Sequence, residues 1–258
     1  MVRVQGRREF LRTASSVSAG VFILPAISGN TTGYNAKAWP EFGGNSRNSG
    51  YADSSLNLQT DIGIDWTYQA NDHVRSSPVV ADNTVFVGSD DGKLYAINKR
   101  TGTEKWSLNS GETIASSPAI IDDTVFVANK AGQVYALDSE TGEVKWDKQP
   151  WNKGTTDTSS ITTEDKRIYI TFGESGLYVF NKSDGDLIWT QKEVPTETTP
   201  AVGQNTIYVG SSDGKLYALS KSDGSENGHL KQKVLLNQIQ RYSMIRYFLV
   251  VTMEMCML

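Results

Sequence analysis

Short apolar segments separated by turn dipeptides run through most of the chain, and one unit of such segments repeats. In the unit that begins at Ser76, the apolar segments are Val79-Val80, residues 84–88, residues 93–97 and Lys105-Trp106. Asp91-Gly92 and Thr101-Gly102 separate the last three segments, and glycine supplies the positive φ angle that tight hairpins need. Each unit therefore predicts four short strands that pair in antiparallel order along the chain.

The unit recurs at intervals of about 40 residues, which is a common repeat length for β-propellers. Its copies begin at Ser76, Ser116, Ser159 and Thr199, and the third copy is more divergent. A four-stranded sheet cannot bury both of its faces alone, whereas sheets stacked as blades around an axis can. The predicted fold class is all-β, a β-propeller of four-stranded antiparallel blades over residues 65–226. We expect three full blades, most of a fourth and a lone outer strand at Asp65-Trp66, in an incomplete ring.

Tryptophan and glycine recur at fixed places in this repeat. The tryptophans are separated by 40, 40 and 43 residues, and a glycine occupies the central turn of each unit. We interpret the tryptophans as packing residues between blades rather than as a ligand-binding or redox surface, and the glycines as turn residues. These repeat positions are Trp66, Trp106, Trp146, Trp189, Gly92, Gly132, Gly176 and Gly214.

The repeat resembles the blades of the pyrroloquinoline-quinone-like (PQQ-like) repeat family over roughly residues 39–226. The shared motifs are Ser-Pro followed by Ala or Val, then Val-Phe-Val-Gly, Asp-Gly, Leu-Tyr-Ala-Leu, Thr-Gly and Lys-Trp. The resemblance implies a propeller, and the exported, non-catalytic relatives are scaffolds that include an outer-membrane assembly factor. Quinone-dependent dehydrogenases of the family are much longer and typically carry a vicinal cysteine pair and a calcium-binding acidic constellation. Neither is found in this sequence, so the resemblance implies repeats and no cofactor.

The N-terminus resembles a twin-arginine export signal, because paired arginines precede an uncharged apolar stretch over residues 17–27. The residues that carry the signal are Arg7, Arg8, Phe10 and Leu11. An amphipathic start to the first domain is the alternative interpretation. We expect residues 1–28 to form the signal peptide and residues 29–64 to form an entry segment. The apolar stretch is too short to span a bilayer comfortably, and no cysteine follows it for a lipid anchor.

Charge and cysteine content exclude several functions. The whole chain has a formal net charge of −4, but residues 29–226 hold 17 basic and 27 acidic residues, a net charge of −10. An acidic surface repels phosphate backbones, so we expect no nucleic-acid partner. The single cysteine, Cys256, cannot form an internal disulfide or a thiolate metal cluster. His73 is the only histidine before the tail, so a catalytic triad and a histidine metal site have little support.

One irregular loop is the candidate contact surface. It interrupts the repeat spacing, and its residues of interest are Trp151, Asn152, Thr155 and Asp157. An ordinary surface insertion is the interpretation that the sequence favours. The acidic pairs Asp90-Asp91 and Asp122-Asp123 could suggest calcium, but they lack the alternating oxygen-ligand spacing of a calcium loop, so we interpret them as turn residues.

These features predict an exported binding or scaffolding module at the cell surface or in the envelope, whose partner is another envelope or extracellular protein. We expect no catalytic, cofactor-binding or metal-binding residue and no transmembrane segment in the mature chain. The main alternative is a fragment of a PQQ-dependent dehydrogenase, and a sugar- or surface-binding sensor module is a third possibility. The discriminating feature is the chemistry of the site, because one fold supports many functions.

The repeat pattern stops after Ser225, and we expect no strand beyond it. Residues 227–258 show no organising pattern of strand, helix or cap. A frameshift explains this tail, since suitable synonymous codons in the shifted frame restore Pro, Gly and Tyr in register with the repeat. Under that hypothesis Cys256 and His229 are accidental residues. The exposed edge of the last sheet then predicts poor solubility or self-association.

Overall fold

A computed structural model describes residues 21–27, 42, 62–150, 158–196 and 198–231 of the chain. Two strands, β1 (Val21–Ile27) and β2 (Ile62–Gln69), precede the repeats and pair with each other. Four four-stranded sheets follow, which we call blades 1 to 4. A 3-10 turn at Gly173–Ser175 lies within blade 3.

The strand bounds follow the repeat. Blade 1 contains β3 (Val79–Ala81), β4 (Thr84–Gly88), β5 (Lys93–Asn98) and β6 (Glu104–Asn109). Blade 2 contains β7 (Ala119–Ile121), β8 (Thr124–Ala128), β9 (Val134–Asp138) and β10 (Val144–Lys148). Blade 3 contains β11 (Thr162–Glu164), β12 (Arg167–Thr171), β13 (Leu177–Asn181) and β14 (Leu187–Gln191). Blade 4 contains β15 (Ala201–Val202), β16 (Thr206–Gly210), β17 (Lys215–Ser220) and β18 (Glu226–Lys231).

Every blade is an antiparallel meander, in which each strand pairs with its neighbours along the chain. This topology confirms the predicted fold class. In blades 1 to 3 the first hairpin turn places an aspartate at positive φ, with values of 48°, 51° and 54° at Asp82, Asp122 and Asp165. Aspartate tolerates this left-handed conformation better than most residues do. The turn therefore accounts for the acidic residue at this point of the first three repeats.

The blades are held together by apolar clusters that alternate with the sheets. Phe86, Leu94 and Ala96 of blade 1 form one buried cluster with Val125 and Leu137 of blade 2. Equivalent clusters join blade 2 to blade 3 and blade 3 to blade 4. Because both faces of the middle strands are covered, β4 is buried along its whole length. This explains why these segments are continuously apolar and do not alternate with polar residues.

The first strands lie innermost. Contacts between blades run from β3 to β7, from β7 to β11 and from β11 to β15. The first strands therefore surround a common axis, and the fourth strands lie on the outside. Among the described residues, no contact of comparable extent returns from β15 to β3, so this row of blades is open.

Each tryptophan of the repeat packs on the next blade. The Trp106 indole lies against Gly142 and donates from Nε1 to the Ser139 carbonyl at 3.1 Å. Trp66 and Trp146 donate in the same way to the carbonyls of Lys99 and Lys182, at 2.9 and 3.1 Å. The contact requires glycine, because a Cβ atom would lie within 2.8 Å of the indole in every case. The glycines that accept an indole are Gly102, Gly142, Gly185 and Gly224.

Strand β18 corrects the prediction that strand structure ends at Ser225. Residues 226–231 pair with β17 and complete blade 4 as a four-stranded sheet. The pairing uses backbone hydrogen bonds, and an outer strand has one solvent-facing side, so it needs little apolar pattern. Gly228 lies opposite Ala218, the position that Trp106 occupies opposite Ala96. A strand is therefore present where the sequence shows no repeat motif.

The N-terminal strand also differs from expectation. The sequence predicts a lone outer strand at Asp65-Trp66, whereas β2 pairs with β1, whose residues 21–27 fall within the predicted export signal. The pairing covers an edge that would otherwise expose unpaired backbone groups. Arg7, Arg8, Phe10 and Leu11 lie outside the described residues, and the export signal stays a prediction.

The tryptophan contact can be tested with two glycines that share a backbone conformation. Gly142 and Gly111 have φ values of 76° and 78°, but a Cβ atom at Gly142 would lie 2.7 Å from Trp106 whereas one at Gly111 would meet nothing within 4 Å. We expect Gly111→Ala to cost about 1 kcal/mol of unfolding free energy and Gly142→Ala about 3 kcal/mol or more. Urea denaturation of both variants measures the difference, and equal losses would contradict the packing role.

A second prediction concerns acid stability at Asp213. Burial raises the pKa of this carboxyl, but hydrogen bonds from Tyr217, Ser211 and Lys215 outweigh burial and lower the pKa to about 2. The Tyr217 hydroxyl donates to it at 2.6 Å. A lowered pKa means that the carboxylate stabilises the fold above a pH of about 4, and that this contribution is lost as the pH falls towards about 2.

We therefore expect Asp213→Asn to lower stability at neutral pH and to flatten the loss of stability between about pH 4 and pH 2. Denaturation at a series of pH values measures both effects. Asp65→Asn, at an exposed position on β2, is the matched control. An unchanged acid profile in the Asp213 variant would show that these hydrogen bonds do not affect folding.

Candidate functional site

Paired hydroxyl residues open every blade and define its axial end. The pairs are Ser76-Ser77, Ser116-Ser117, Ser159-Ser160 and Thr198-Thr199. The first hydroxyl of each pair binds the backbone at the end of the second strand. Thus Ser76 Oγ accepts from the Gly88 N–H at 2.7 Å and donates to the Gly88 carbonyl at 3.0 Å. This bond fixes the chain at the point where it enters the innermost strand.

The second hydroxyl of the pair links adjacent blades. The Ser77 N–H donates to Ser117 Oγ at 2.8 Å, and the Ser117 N–H donates to Ser160 Oγ at 3.3 Å. We call Ser77, Ser117 and Ser160 the hydroxyl ladder. Within the described part of the chain, neither Ser117 Oγ nor Ser160 Oγ donates its own proton in return. These two hydroxyls can therefore act as hydrogen-bond donors to a ligand on the axis.

The hydroxyl ladder lines a cavity of about 250 Å³ at this end of the blades. The polar lining consists of serine and threonine hydroxyls and one guanidinium. Its residues are Phe42, Arg75, Ser77, Ala115, Ser116, Ser117, Thr158, Ser159, Ser160 and Thr199. None of the described lining residues carries a carboxylate. The described lining therefore presents hydrogen-bond donors and one guanidinium.

Arg75 supplies the charge of the cavity. Its Nε lies 2.7 Å from Asp90 Oδ2, and its side chain remains 63% exposed. Because Asp90 engages the Nε side of the guanidinium, the described residues leave the terminal nitrogens available to a ligand. Planar N–H groups of this kind recognise carboxylate and phosphate oxygens in a bidentate manner. The cavity can therefore bind an oxyanion through Arg75 with support from the hydroxyl ladder.

His73 is not among the described residues that line this cavity. The sequence suggests no partner for His73 in a catalytic or metal site. In the structure, His73 Nδ1 lies 2.7 Å from Asp72 Oδ1, and each of the two side chains is 51% exposed. Hydrogen bonds from His73 lower the pKa of Asp72. No serine or threonine hydroxyl among the described residues bonds the His73 ring. The pair therefore does not extend to the nucleophile that a catalytic triad needs.

The acidic pairs of the sequence lie in turns. Asp91 accepts from the Lys93 N–H at 3.0 Å and from the Tyr95 hydroxyl at 2.5 Å. Asp122 lies in the first turn of blade 2 and forms an ion pair with Lys182 at 2.9 Å. Within the described ranges, no three acidic, histidine or cysteine side chains are grouped so that they could hold a metal ion.

The indole of Trp189 differs from the other three. It packs on Gly224 of blade 4, but its buried Nε1 has no hydrogen-bond partner among the described residues. The turn glycines Gly92, Gly132, Gly176 and Gly214 all have positive φ, between 80° and 90°. The structure thus places the predicted repeat positions in turns and on inter-blade surfaces, away from the axial cavity.

The sequence interpretation missed the hydroxyl ladder. The Ser-Ser-Pro motif was visible, but a hydroxyl that bonds the next blade looks the same in sequence as one that caps a turn. The predicted contact residues Trp151, Asn152, Thr155 and Asp157 lie outside the described residues. Thr158, which follows them directly in sequence, lines the cavity.

The hydroxyl ladder can be tested by removing one hydroxyl. Ser117→Ala takes away the acceptor of the part-buried hydrogen bond from the Ser77 N–H, so we expect a loss of about 1 kcal/mol of unfolding free energy. Ser107→Ala is the control, because Ser107 is exposed on the outer strand of blade 1. Urea denaturation compares the two variants. A Ser117 variant as stable as the control would show that the ladder does not hold the blades.

Comparison with known proteins places the fold. The model of the family described as outer membrane protein assembly factor BamB matches residues 60–163 and 109–237. No curated protein sequence matches the chain.

Solved structures share the architecture. BamB from Moraxella catarrhalis has a TM-score of 0.56 and 21% identity, over 65% of this chain and 56% of that chain. The quinohemoprotein alcohol dehydrogenase from Comamonas testosteroni has a TM-score of 0.64 and 18% identity, over 75% and 41%. The computationally designed Ika8 protein has a TM-score of 0.55 and 18% identity, over 63% and 50%.

At these identities the structures show a shared fold, and the chain spans about half the length of each of them. The two ranges that match the family model together extend over residues 60–237, which is more than half of the chain and includes all four blades. The chain therefore belongs to the PQQ-like repeat β-propeller family whose model is described as outer membrane protein assembly factor BamB.

Proposed function

We propose that this chain is an exported binding module that acts as a scaffold in the cell envelope or at the cell surface. The observation that carries the proposal is the axial cavity, whose described lining residues combine hydrogen-bond donors and one guanidinium and include no carboxylate. Such a lining suits recognition of an anionic group and lacks the paired acid and base of a hydrolytic site. The module holds a partner and does not transform it.

The partner that this chemistry fits is a protein with an accessible carboxylate. The Arg75 guanidinium would pair with the carboxylate, and the Ser117 and Ser160 hydroxyls would donate to its oxygens. The volume of about 250 Å³ admits a side chain or a chain terminus but not a folded domain. Residues of the partner around that anchor would then contact the rim of the cavity. Residues 151–157, which precede Thr158 in the sequence, are the proposed further contact segment.

Family and sequence support an extracytoplasmic location. The matching family model is described as an outer membrane protein assembly factor, and one similar structure is BamB itself. The predicted twin-arginine signal at Arg7 and Arg8 provides the export route. Among the described residues, no helix combines the length and the apolar character needed to cross a bilayer.

A fragment of a quinone-dependent dehydrogenase is the alternative. The similarity to quinohemoprotein alcohol dehydrogenase at 18% identity supports the fold and not the reaction. Calcium sites use several carboxylate and carbonyl oxygens, whereas serines, threonines and Arg75 supply the polar groups of this cavity. These residues do not fit a calcium-bound quinone. The binding role is therefore the better-supported proposal.

The direct test is binding of a defined acidic peptide. The probe is a fluorescent Gly-Glu repeat with a free C-terminal carboxylate, and a Gly-Gln repeat with an amidated terminus is its uncharged match. We expect fluorescence anisotropy to show binding of the acidic peptide alone, weakened about tenfold or more by Arg75→Gln. Arg100→Gln, an exposed arginine in a turn of blade 1, should leave the affinity unchanged.

Equal affinity for the two peptides, or equal effects of the two arginine variants, would overturn the axial site. A response of tryptophan fluorescence to pyrroloquinoline quinone with calcium would instead favour the dehydrogenase fragment.

A further inference from the structure

Blade 4 leaves one of its faces without a neighbouring sheet. Tyr208, Leu216 and Ala218 are only half-buried. The residues at the same register positions in blade 1 are Phe86, Leu94 and Ala96, which are 1%, 0% and 0% exposed because blade 2 covers them. In blades 1 to 3 the next blade covers this face of the sheet. No described sheet covers the equivalent face of blade 4.

The outer strand of blade 4 contributes little to this face. Gly228 occupies the position opposite Ala218, and a Cβ atom there would meet nothing within 4 Å. Leu230, which points the same way, is 51% exposed. In blades 1 and 2 the equivalent of Gly228 is a tryptophan opposite an alanine, Trp106 opposite Ala96 in blade 1. Blade 4 thus lacks the side chain that elsewhere docks each sheet on the next.

Strand β2 differs from β18 in the opposite way. It carries a tryptophan that packs on the next blade, but it belongs to a two-stranded sheet and not to a blade. Trp66 packs on Gly102 and bonds the Lys99 carbonyl, as the blade tryptophans do. The partner of β2 is β1, whose Leu24 stands opposite Trp66 and whose Pro25 lacks an N–H for the ladder. If residues 1–28 are removed on export, the edge of β2 is left unpaired.

The two strands match in register. In β17 the irregularity that shifts the pairing lies between Ala218 and Leu219, and in β1 it lies between Leu24 and Pro25. When these irregularities are superposed, Ala218 falls opposite Trp66 and Lys215 falls opposite Gln69. The inner strands of blade 4 and β2 are therefore the two incomplete halves of one blade.

We propose that a second copy of this chain covers the open face, with β2 of each copy added to β17 of the other. The pairing is between copies because no contact between the described strands of blades 1 and 4 is as extensive as the contacts between successive blades. The exchange replaces the β17–β18 ladder by one between β17 and β2 of the second copy, and it also breaks the β1–β2 pairing unless residues 1–28 have been removed on export. Burial of apolar surface therefore has to drive it. Four blades from each copy give eight in all, within the range of about four to eight that closes a ring.

Disulfide trapping in the full chain tests this register, with Cys256→Ser as the background of every variant. Gln69→Cys with Lys215→Cys should cross-link two chains, at twice the 28.3 kDa mass of one chain on a non-reducing gel. Lys93→Cys with Asn109→Cys, the equivalent pair within blade 1, is the positive control and should cross-link inside one chain.

Lys215→Cys with Lys231→Cys reports the competing pairing of β17 with β18. Efficient cross-linking of this pair within one chain, with none between Gln69→Cys and Lys215→Cys, would overturn the proposal. A link between Gln69 and Lys215 inside one chain would also overturn it, because the ring would then close without a second copy.

Sedimentation of the native sequence provides a measurement that does not depend on engineered cysteines. Leu216→Glu charges the open face and should weaken dimerisation about tenfold or more, whereas Ile188→Glu, at an exposed apolar residue of β14, should leave it unchanged. A monomeric native chain, or equal effects of both variants, would contradict the dimer.

Discussion

The contact between a tryptophan of one blade and a glycine of the next is the interaction on which this structure depends. Each indole covers a glycine in the third turn of the following blade, where a Cβ atom would lie within 2.8 Å of the ring. The contact fixes the spacing of the outer strands. The apolar clusters can then form between the middle strands, and the backbone N–H groups of Ser77 and Ser117 can reach the hydroxyls of Ser117 and Ser160.

The same contact explains why the two ends of the row differ from its middle. Blades 2 and 3 are covered on both faces, so their second and third strands are almost entirely buried. Blade 4 has one covered face, and its outer strand carries Gly228 in place of a tryptophan. A quasi-one-dimensional stack of this kind loses stability where a neighbouring repeat is missing. The proposed second copy restores that neighbour.

Much of the fold could be predicted from the sequence, because its strongest signals are local. The Asp-Gly and Thr-Gly turns and the spacing of the tryptophans were enough to indicate four-stranded blades. Strand β18 was missed because backbone pairing with β17 leaves no apolar pattern to read. The axial cavity was missed because Ser117 meets Ser160 of another blade, 43 residues away, and neither residue has unusual chemistry alone. A site whose residues come from different blades can be recognised only once the arrangement of the blades is known.

Native-state hydrogen exchange measures the central claim most directly, since the claim is that coverage by neighbouring blades sets local stability. The account predicts that amides of β8, β9, β12 and β13, at the centres of blades 2 and 3, exchange most slowly. It predicts that amides of β18 exchange fastest among the outer strands of the blades. Equal protection of β18 and β14, or rapid exchange throughout blade 2, would contradict the role assigned to the contacts between blades.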